Sequence, residues 1–313
     1  MVDSENKLLS IVIPVYNEVG SLKELYEKIS KVFENSKYEI EIIFVDDGST
    51  DGSCDIEEEI AEKDSRVKVI QLNKNYGKAV ALTAGFQTAT GDYIATIDAD
   101  LQDDPAEIPK MLEMLEKDGY DLISGWKKKR RDPITKVIPS KIFNAATSLM
   151  TGVRIHDFNC GLKVYRKEVA SKLSIYGGLY RYIPAMVHLM GYKVGEKEVL
   201  HHPRKYGKSK YGSKRFYHGF WDLVTVLFLS KYLRRPLHLF GLPGILSFLA
   251  GFGILVYLAV GWFRGIWIGN RPIFFLGILL MIVGLQFISI GLLAEMIAHG
   301  HKKDEYIIKK KIG

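Results

Sequence analysis

Short apolar runs alternate with polar, glycine-rich breaks along the first two thirds of the chain, in a rhythm of strand and helix. Leu9 to Ile13, closed by Pro14, predicts a first strand. The helix after it opens at Ser21, which with Glu24 matches a capping box. Ile40 to Val45 predicts a second strand that stops at Asp46-Asp47-Gly48-Ser49-Thr50-Asp51-Gly52-Ser53, a loop of acids, glycines and hydroxyls leading into a short helix. Val67 to Leu72 is a third strand, Ala79 to Ala89 a helix and Tyr93 to Ile97 a fourth strand. Further strands are predicted at Asp121–Gly125, after Gly161 and at Tyr192–Leu200, with helices over Val137–Met150 and in a pair ending at Met190. This alternation predicts an α/β fold with an open, mostly parallel sheet flanked by helices.

The last third has a different pattern. Leu239 to Phe263 and Ile273 to Ala294 contain no charged side chain, and each exceeds the roughly 20 residues that a helix needs to cross a bilayer. Met1 to Leu9 is too polar for a secretory signal. Lys231, Arg234 and Arg235 precede the first run and Lys302, Lys303, Lys309, Lys310 and Lys311 follow the second, whereas the connection carries only Arg264 and Arg271. The positive-inside rule then predicts a cell-membrane protein with two spans, its large N-terminal part and both termini cytoplasmic. Phe216, Phe220, Val224 and Leu227 recur at helical spacing beside Trp221, so Ser213–Leu229 is expected to lie along the membrane surface; a buried core helix is the alternative. The expected division is 1–212 as the cytosolic domain, 213–235 interfacial, 236–298 as the transmembrane hairpin and 299–313 as a basic tail.

Composition adds two constraints. The net charge of +7 over 313 residues is concentrated near the predicted spans, where it favours anionic or phosphorylated lipid over nucleic acid. Cys54 and Cys160 form no C-x-x-C pattern and suit a reducing compartment.

The candidate chemistry collects at strand exits. A strand alternates its side chains, so Asp98 and Asp100 point to one side across the small Ala99 and attract a hard cation. Mg²⁺ or Mn²⁺ held by one or two carboxylates plus phosphate oxygens fits a nucleotide diphosphate, and Gln102 could add an amide oxygen. The plainer alternative is a solvated turn before a helix capped by Asp104 with Pro105 in its first turn. Pro14 to Glu18, Asp46 and Asp47, Asn73 to Lys78 and Asp98 to Gln102 would all meet at the carboxyl edge of the sheet, where such folds bind ligands. Five consecutive cations at Lys127–Arg131 are either a solvated loop or an attractant for anions. Gly161 suggests close backbone approach to a ligand. The segment His201–Gly212 mixes basic, hydroxyl and glycine residues suited to phosphate, while His201 and His202 lack a partner at metal-ligand spacing.

Together Ile13-Pro14-Val15-Tyr16-Asn17-Glu18, Val45 to Ser53, Asp98-Ala99-Asp100-Leu101-Gln102 and Arg204-Lys205-Tyr206-Gly207-Lys208-Ser209-Lys210 resemble family-two glycosyltransferases of the GT-A fold. Within these they are similar to the polyprenyl-phosphate sugar transferases, such as dolichyl-phosphate mannose synthase and bactoprenol glucosyltransferases. The resemblance implies that Pro14, Tyr16, Glu18 and Asp46 contact base and ribose, with Lys78 and Ala99 also at the nucleotide sugar. It implies that Asp98, Asp100 and Gln102 hold the cation and that Arg204, Ser209 and Lys210 close over phosphates. Asp157-Phe158-Asn159-Cys160-Gly161-Leu162-Lys163 departs from the Asp-Pro-Thr-Ser-Gly-Phe-Arg of many mannose synthases. The expected reaction is inverting transfer of a hexose, mannose or glucose, from a UDP- or GDP-sugar to a polyprenyl phosphate. Arg131, Arg181 and Arg204 would position the acceptor, and Asp157 would orient it or a neighbouring cation, or simply cap a turn. A processive polysaccharide synthase is the rival reading, although Gln-x-x-Arg-Trp is missing; a non-catalytic membrane scaffold is a second, and a homo-oligomer is compatible with either.

Overall fold

The computed structural model describes residues 7–128, 144–145, 147–173, 175–206, 225, 236–265, 267–268 and 271–300. The strand-helix rhythm forms β1 (Leu8–Val15), α1 (Leu22–Phe33), β2 (Glu39–Asp46), α2 (Ser53–Lys63), β3 (Val67–Gln71), α3 (Lys78–Thr88) and β4 (Tyr93–Thr96). A 3-10 turn at Pro105–Glu107 leads into α4 (Ile108–Lys117), then β5 (Leu122–Trp126), β6 (Lys163–Arg166), α5 (Lys167–Ala170), α6 (Ile183–Leu189) and β7 (Val194–Glu198). These strands make one seven-stranded sheet in the order β3-β2-β1-β4-β6-β5-β7.

Pairing between β3, β2, β1 and β4 is parallel, whereas β6 runs antiparallel to both β4 and β5, and β7 is parallel to β5. Six strands therefore share a direction and β6 opposes them. Its reversed course brings its first residue, Lys163, to the carboxyl rim, opposite Thr96. β2 is buried on both faces from Ile40 to Asp46, as a central strand of a covered sheet should be. On one side Leu9, Ile11 and Ile13 of β1 join Leu22, Leu25 and Ile29 of α1 and Leu112 and Leu115 of α4 in a single core.

One buried acid knits the sheet together. Glu41 pairs with Lys68 at 2.6 Å and accepts hydrogen bonds from the Ser10 hydroxyl, the Thr90 amide and the Thr90 hydroxyl, linking β1, β2, β3 and the approach to β4. The capping box expected at α1 does not form. The Ser21 hydroxyl donates backwards to the Glu18 carbonyl at 2.9 Å, and Glu24 is engaged by Lys28 and Lys205. At the 3-10 turn the cap is as drawn from sequence: the Asp104 carboxylate accepts from the Ala106 amide at 3.0 Å with Pro105 next to it.

The chain divides into two compact units, residues 1–226 and 227–313. In the second, α7 (Pro236–Phe263) and α8 (Pro272–Gly300) form a hairpin whose apolar stretches, Leu239–Phe263 and Pro272–Ile297, have mean hydropathies of 2.1 and 2.6. Both are long and apolar enough to cross a membrane. The helices approach to backbone contact at glycines: a β-carbon on Gly251 would stand 2.5 Å from the Gly277 carbonyl oxygen. The Ser247 hydroxyl donates to the Leu280 carbonyl across the pair at 2.8 Å. The expected surface helix at Ser213–Leu229 lies outside the described residues except Thr225, as does the tail from residue 301.

Candidate active site

Four loops meet at the rim where the parallel strands end. The loops after β1 and β2 are cross-linked: the Asn17 amide donates to the Ser49 hydroxyl and the Asn17 side-chain oxygen accepts from the Thr50 amide, both at 2.8 Å. Gly48, at φ +72°, lies against the next loop so closely that a β-carbon would meet the Lys74 carbonyl carbon at 2.5 Å. Asp47, nearly fully buried, accepts from the Tyr76 and Gly77 amides at 2.7 and 2.8 Å. It thereby fixes the start of α3, whose first residue is Lys78.

Lys78 reaches across to pair with Asp98, and Arg204 pairs with Asp100 at 2.6 Å and with Glu18 at 3.3 Å. Between the acids Ala99 is buried, and the turn continues through Leu101 at φ +59°, a left-handed conformation that a non-glycine residue holds only when its surroundings dictate it. Gly161 abuts Asp98: a β-carbon there would lie 2.6 Å from the carboxylate. The Thr96 hydroxyl fixes Gly161 by donating to its carbonyl at 2.9 Å. Expected to allow close approach of a ligand, this glycine allows the close approach of an acid and also lines the cleft beside it.

Burial acts to raise the Asp98 pKa, but Lys78, aided by Lys127 and Lys163, prevails and holds it below the usual carboxylate range. Asp100 goes the other way: burial, and then the Asp98 charge, push it up to about 6 against the pull of Arg204. Two carboxylates that raise one another's cost of ionisation, each already drawing a cationic side chain, are a donor set that fits a divalent cation.

A cleft beside the pair is lined by Lys78, Thr96, Asn159, Gly161, Lys163 and Tyr180. Lys163 is buried, its ammonium donates to the Cys160 carbonyl, and burial followed by the proximity of Lys78 lowers its pKa. Arg181 is buried as well, with its guanidinium 5.2 Å from the Tyr180 ring centre and a hydrogen bond to the Tyr180 hydroxyl at 3.2 Å. The Lys78 ammonium lies 5.4 Å from the same ring.

Other expected residues fall in different places. Pro14, Tyr16 and Gln102 are half-buried at the rim; the Gln102 backbone N–H donates to Asp100 at 3.2 Å and its backbone carbonyl accepts from the His202 N–H at 2.8 Å. Asp46 is fully enclosed and accepts from the Ser49 amide at 2.7 Å, so it faces its own loop. Asp157, buried, accepts from the Asn159 amide at 3.1 Å in a turn, while Glu196 receives the His156 and Asp157 amides at 2.8 and 2.9 Å. Arg131, Ser209 and Lys210 lie outside the described residues.

The reading of the basic run as solvated is corrected at Lys127, which pairs with the fully buried Asp103 at 2.7 Å; the backbone of Asp103 pairs with that of His201 in an isolated antiparallel β-bridge. Lys163 and Tyr180 were missed. A lysine opening an apolar strand was the one signal for the first; Tyr180 had none beyond lying next to Arg181.

The sequence profile of Glycosyl transferase family 2 matches residues 10–174. This chain belongs to that family. As a family-two glycosyltransferase it is 37% identical over 311 residues to the dodecaprenyl-phosphate galacturonate synthase of Rhizobium johnstonii, covering 96% of this chain and 92% of the relative. It is 36% identical over 312 residues to the undecaprenyl-phosphate 4-deoxy-4-formamido-L-arabinose transferase of Proteus mirabilis, covering 97% and 94%. Among solved structures, glucosyl-3-phosphoglycerate synthase from Mycobacterium tuberculosis, in complex with Mn²⁺, UDP-glucose and phosphoglyceric acid, superposes with a TM-score of 0.56 at 18% identity. That superposition covers 71% of this chain and 80% of the other, and it identifies the glycosyltransferase's sheet as the GT-A type.

Proposed function

We propose that this glycosyltransferase moves a sugar from a nucleotide diphosphate donor to a polyprenyl phosphate at the cytoplasmic face of a membrane, with Asp98 and Asp100 holding Mg²⁺ or Mn²⁺. The observation that carries the reading is the full-length likeness to two proteins named for transfer to polyprenyl phosphates. Paired acids at the rim of the sheet, each matched to a cationic side chain, support the donor half.

When bound, the cation supplies electrostatic stabilisation to the leaving diphosphate. The chain's residues do the rest. Lys78 and Arg204 rest on Asp98 and Asp100; freed from them, both side chains can neutralise diphosphate oxygens. Glu18, paired with Arg204, and the half-buried Tyr16 at the same rim serve the nucleoside, with Asp46 holding the loop that borders it. For the acceptor, Lys163 lines the cleft and Arg181 backs it through Tyr180. A phosphate monoester has a second pKa near ~6, so its attacking oxygen is already anionic at neutral pH and no strong general base is needed. That oxygen forms a bond to the anomeric carbon as the bond to the nucleoside diphosphate breaks, the electron pair leaving with the diphosphate; a single displacement inverts the centre. Asp157 keeps the turn that carries Asn159 and Gly161 into the cleft.

The test incubates the purified full-length protein with Mn²⁺ or Mg²⁺, undecaprenyl phosphate and, separately, labelled UDP-glucose, UDP-galacturonate and GDP-mannose. Label passing into the lipid extract is the expected result. The neutral hexoses follow from the resemblance to mannose and glucose transferases, and the uronate arm from the name of the Rhizobium relative. Release of free sugar with every donor, and none in lipid, would defeat the acceptor assignment.

A further inference from the structure

Behind the donor rim, the loop after β2 folds back so that the first turn of α2 faces the end of β2. Cys54 and Glu57, three positions apart on one face of α2, are thereby aimed at Asp46. A carboxylate oxygen of Asp46, the Sγ of Cys54 and a carboxylate oxygen of Glu57 all lie within 4.8 Å of one another. Asp46 and Glu57 are both 0% exposed, while Cys54 is half-buried and leaves a route from solvent.

Glu57 is the anomaly. Neither of its oxygens has a hydrogen-bond partner among the described residues, although both are fully buried. Among the same residues no lysine or arginine forms an ion pair with Glu57 or Asp46. A carboxylate enclosed without donor or counter-charge is unfavourable, so an ordinary core would place an apolar side chain there. Two enclosed carboxylates and a thiol instead make a mixed oxygen and sulfur donor set. Mg²⁺ and Mn²⁺ favour all-oxygen surroundings; a thiolate selects a borderline ion such as Zn²⁺.

We propose that Asp46, Cys54 and Glu57 form a second cation site, selective for a thiophilic divalent ion of the Zn²⁺ class and separate from the Asp98 and Asp100 pair. Cys54 binds as thiolate and Glu57 as carboxylate, the protons that both hold in the empty site passing to solvent, and three protein ligands leave a fourth position for water. A cation there ties the start of α2 to the end of β2 and so fixes the Asp46–Ser53 loop. A further consequence rests on the donor reading above: because Asp46 holds the loop that borders the nucleoside, occupation of the site changes KM for the nucleotide sugar.

The experiment uses metal-stripped full-length protein in detergent, titrated with Co²⁺ as an optical probe in the presence of excess Mg²⁺. One equivalent should produce a thiolate-to-cobalt charge-transfer band that Zn²⁺ bleaches. The band should vanish in Cys54→Ser, weaken at least tenfold in apparent affinity in Glu57→Gln, and persist in Asp100→Asn. Because a core variant can lose its fold, the wild-type protein supplies a second measurement: Zn²⁺ should protect Cys54 from alkylation, mapped by mass spectrometry. A band that survives in Cys54→Ser or disappears in Asp100→Asn, or alkylation of Cys54 unchanged by Zn²⁺, overturns the site. Donor KM is measured separately, so an unchanged KM with intact Co²⁺ binding would count against the role of the Asp46–Ser53 loop at the donor and leave the cation site standing.

Discussion

Gly161 and Asp98 touch: a β-carbon on the glycine would intrude to 2.6 Å from the carboxylate. Gly161→Ala should therefore leave the sheet folded yet push Asp98 out of line, since a side chain displaced by an ångström can no longer complete a coordination shell. Mn²⁺ affinity, measured by calorimetry, should fall at least tenfold, and circular dichroism should be unchanged. Wild-type affinity in this variant would show that Asp98 is not a ligand.

Replacing Asp100 by Asn removes one acid and the tighter of the two ion pairs of Arg204, held at 2.6 Å, leaving the one with Glu18. Transfer should drop by ~10²–10³-fold, the scale of losing one preorganised electrostatic contact. Lys78→Met is expected to act differently, raising donor KM roughly 10–100-fold for the loss of a charge-assisted phosphate contact of ~1.5–3 kcal/mol. Steady-state kinetics with varied donor separates the two; equal effects on kcat alone would exclude a phosphate role for Lys78.

Asp103 and Lys127 form a buried pair at 2.7 Å. Asp103→Asn strands the lysine and should destabilise the domain by about 3–5 kcal/mol, whereas the double change with Lys127→Met should recover part of the loss. Thermal melts of the three variants give the comparison, and additive losses would mean that the two residues do not interact.

Glu41 supplies the pH dependence. Burial acts to raise its pKa, but Lys68, Ser10 and Thr90 outweigh it and hold the carboxyl at about 2, below the ordinary 4.5. The folded value is depressed, so the stabilisation is fully present above pH 4.5 and is lost as the pH falls toward 2. Its size is on the order of 2–3 kcal/mol. Glu41→Gln should lower the melting temperature at pH 7 and flatten its decline between pH 5 and 3; an unchanged slope would assign acid sensitivity to other carboxylates.

The parallel half of the sheet was legible because β1, β2 and β4 each end where an apolar run meets Pro14, Asp46 or Asp98. The antiparallel β6 was not: four residues beginning with a lysine give no directional signal, and only pairing with Thr96 and Tyr93 sets its course. Ser21 and Glu24 had the right spacing for a capping box, but spacing does not reveal that the Glu18 carbonyl and Lys205 compete for them. Lys127 was hidden in a run of five cations, where no local pattern separates the one that turns inward to Asp103. Asp98 and Asp100 were visible as residues; the cations opposing them were visible only in part, since Lys78 and Arg204 stand 20 and 104 positions from their partners.

Asp98, Asp100 and Glu18 face Lys78, Arg204 and the nearby Lys163, three negative groups against three positive ones. At neutral pH this corner is close to electrical parity before any substrate arrives. A lone dication would tip it one way and a lone diphosphate the other, each leaving uncompensated charge in a partly enclosed recess. Parity survives only when both come together, so the corner favours the metal chelate of the donor over either component and disfavours the free nucleotide once its counter-ion has gone.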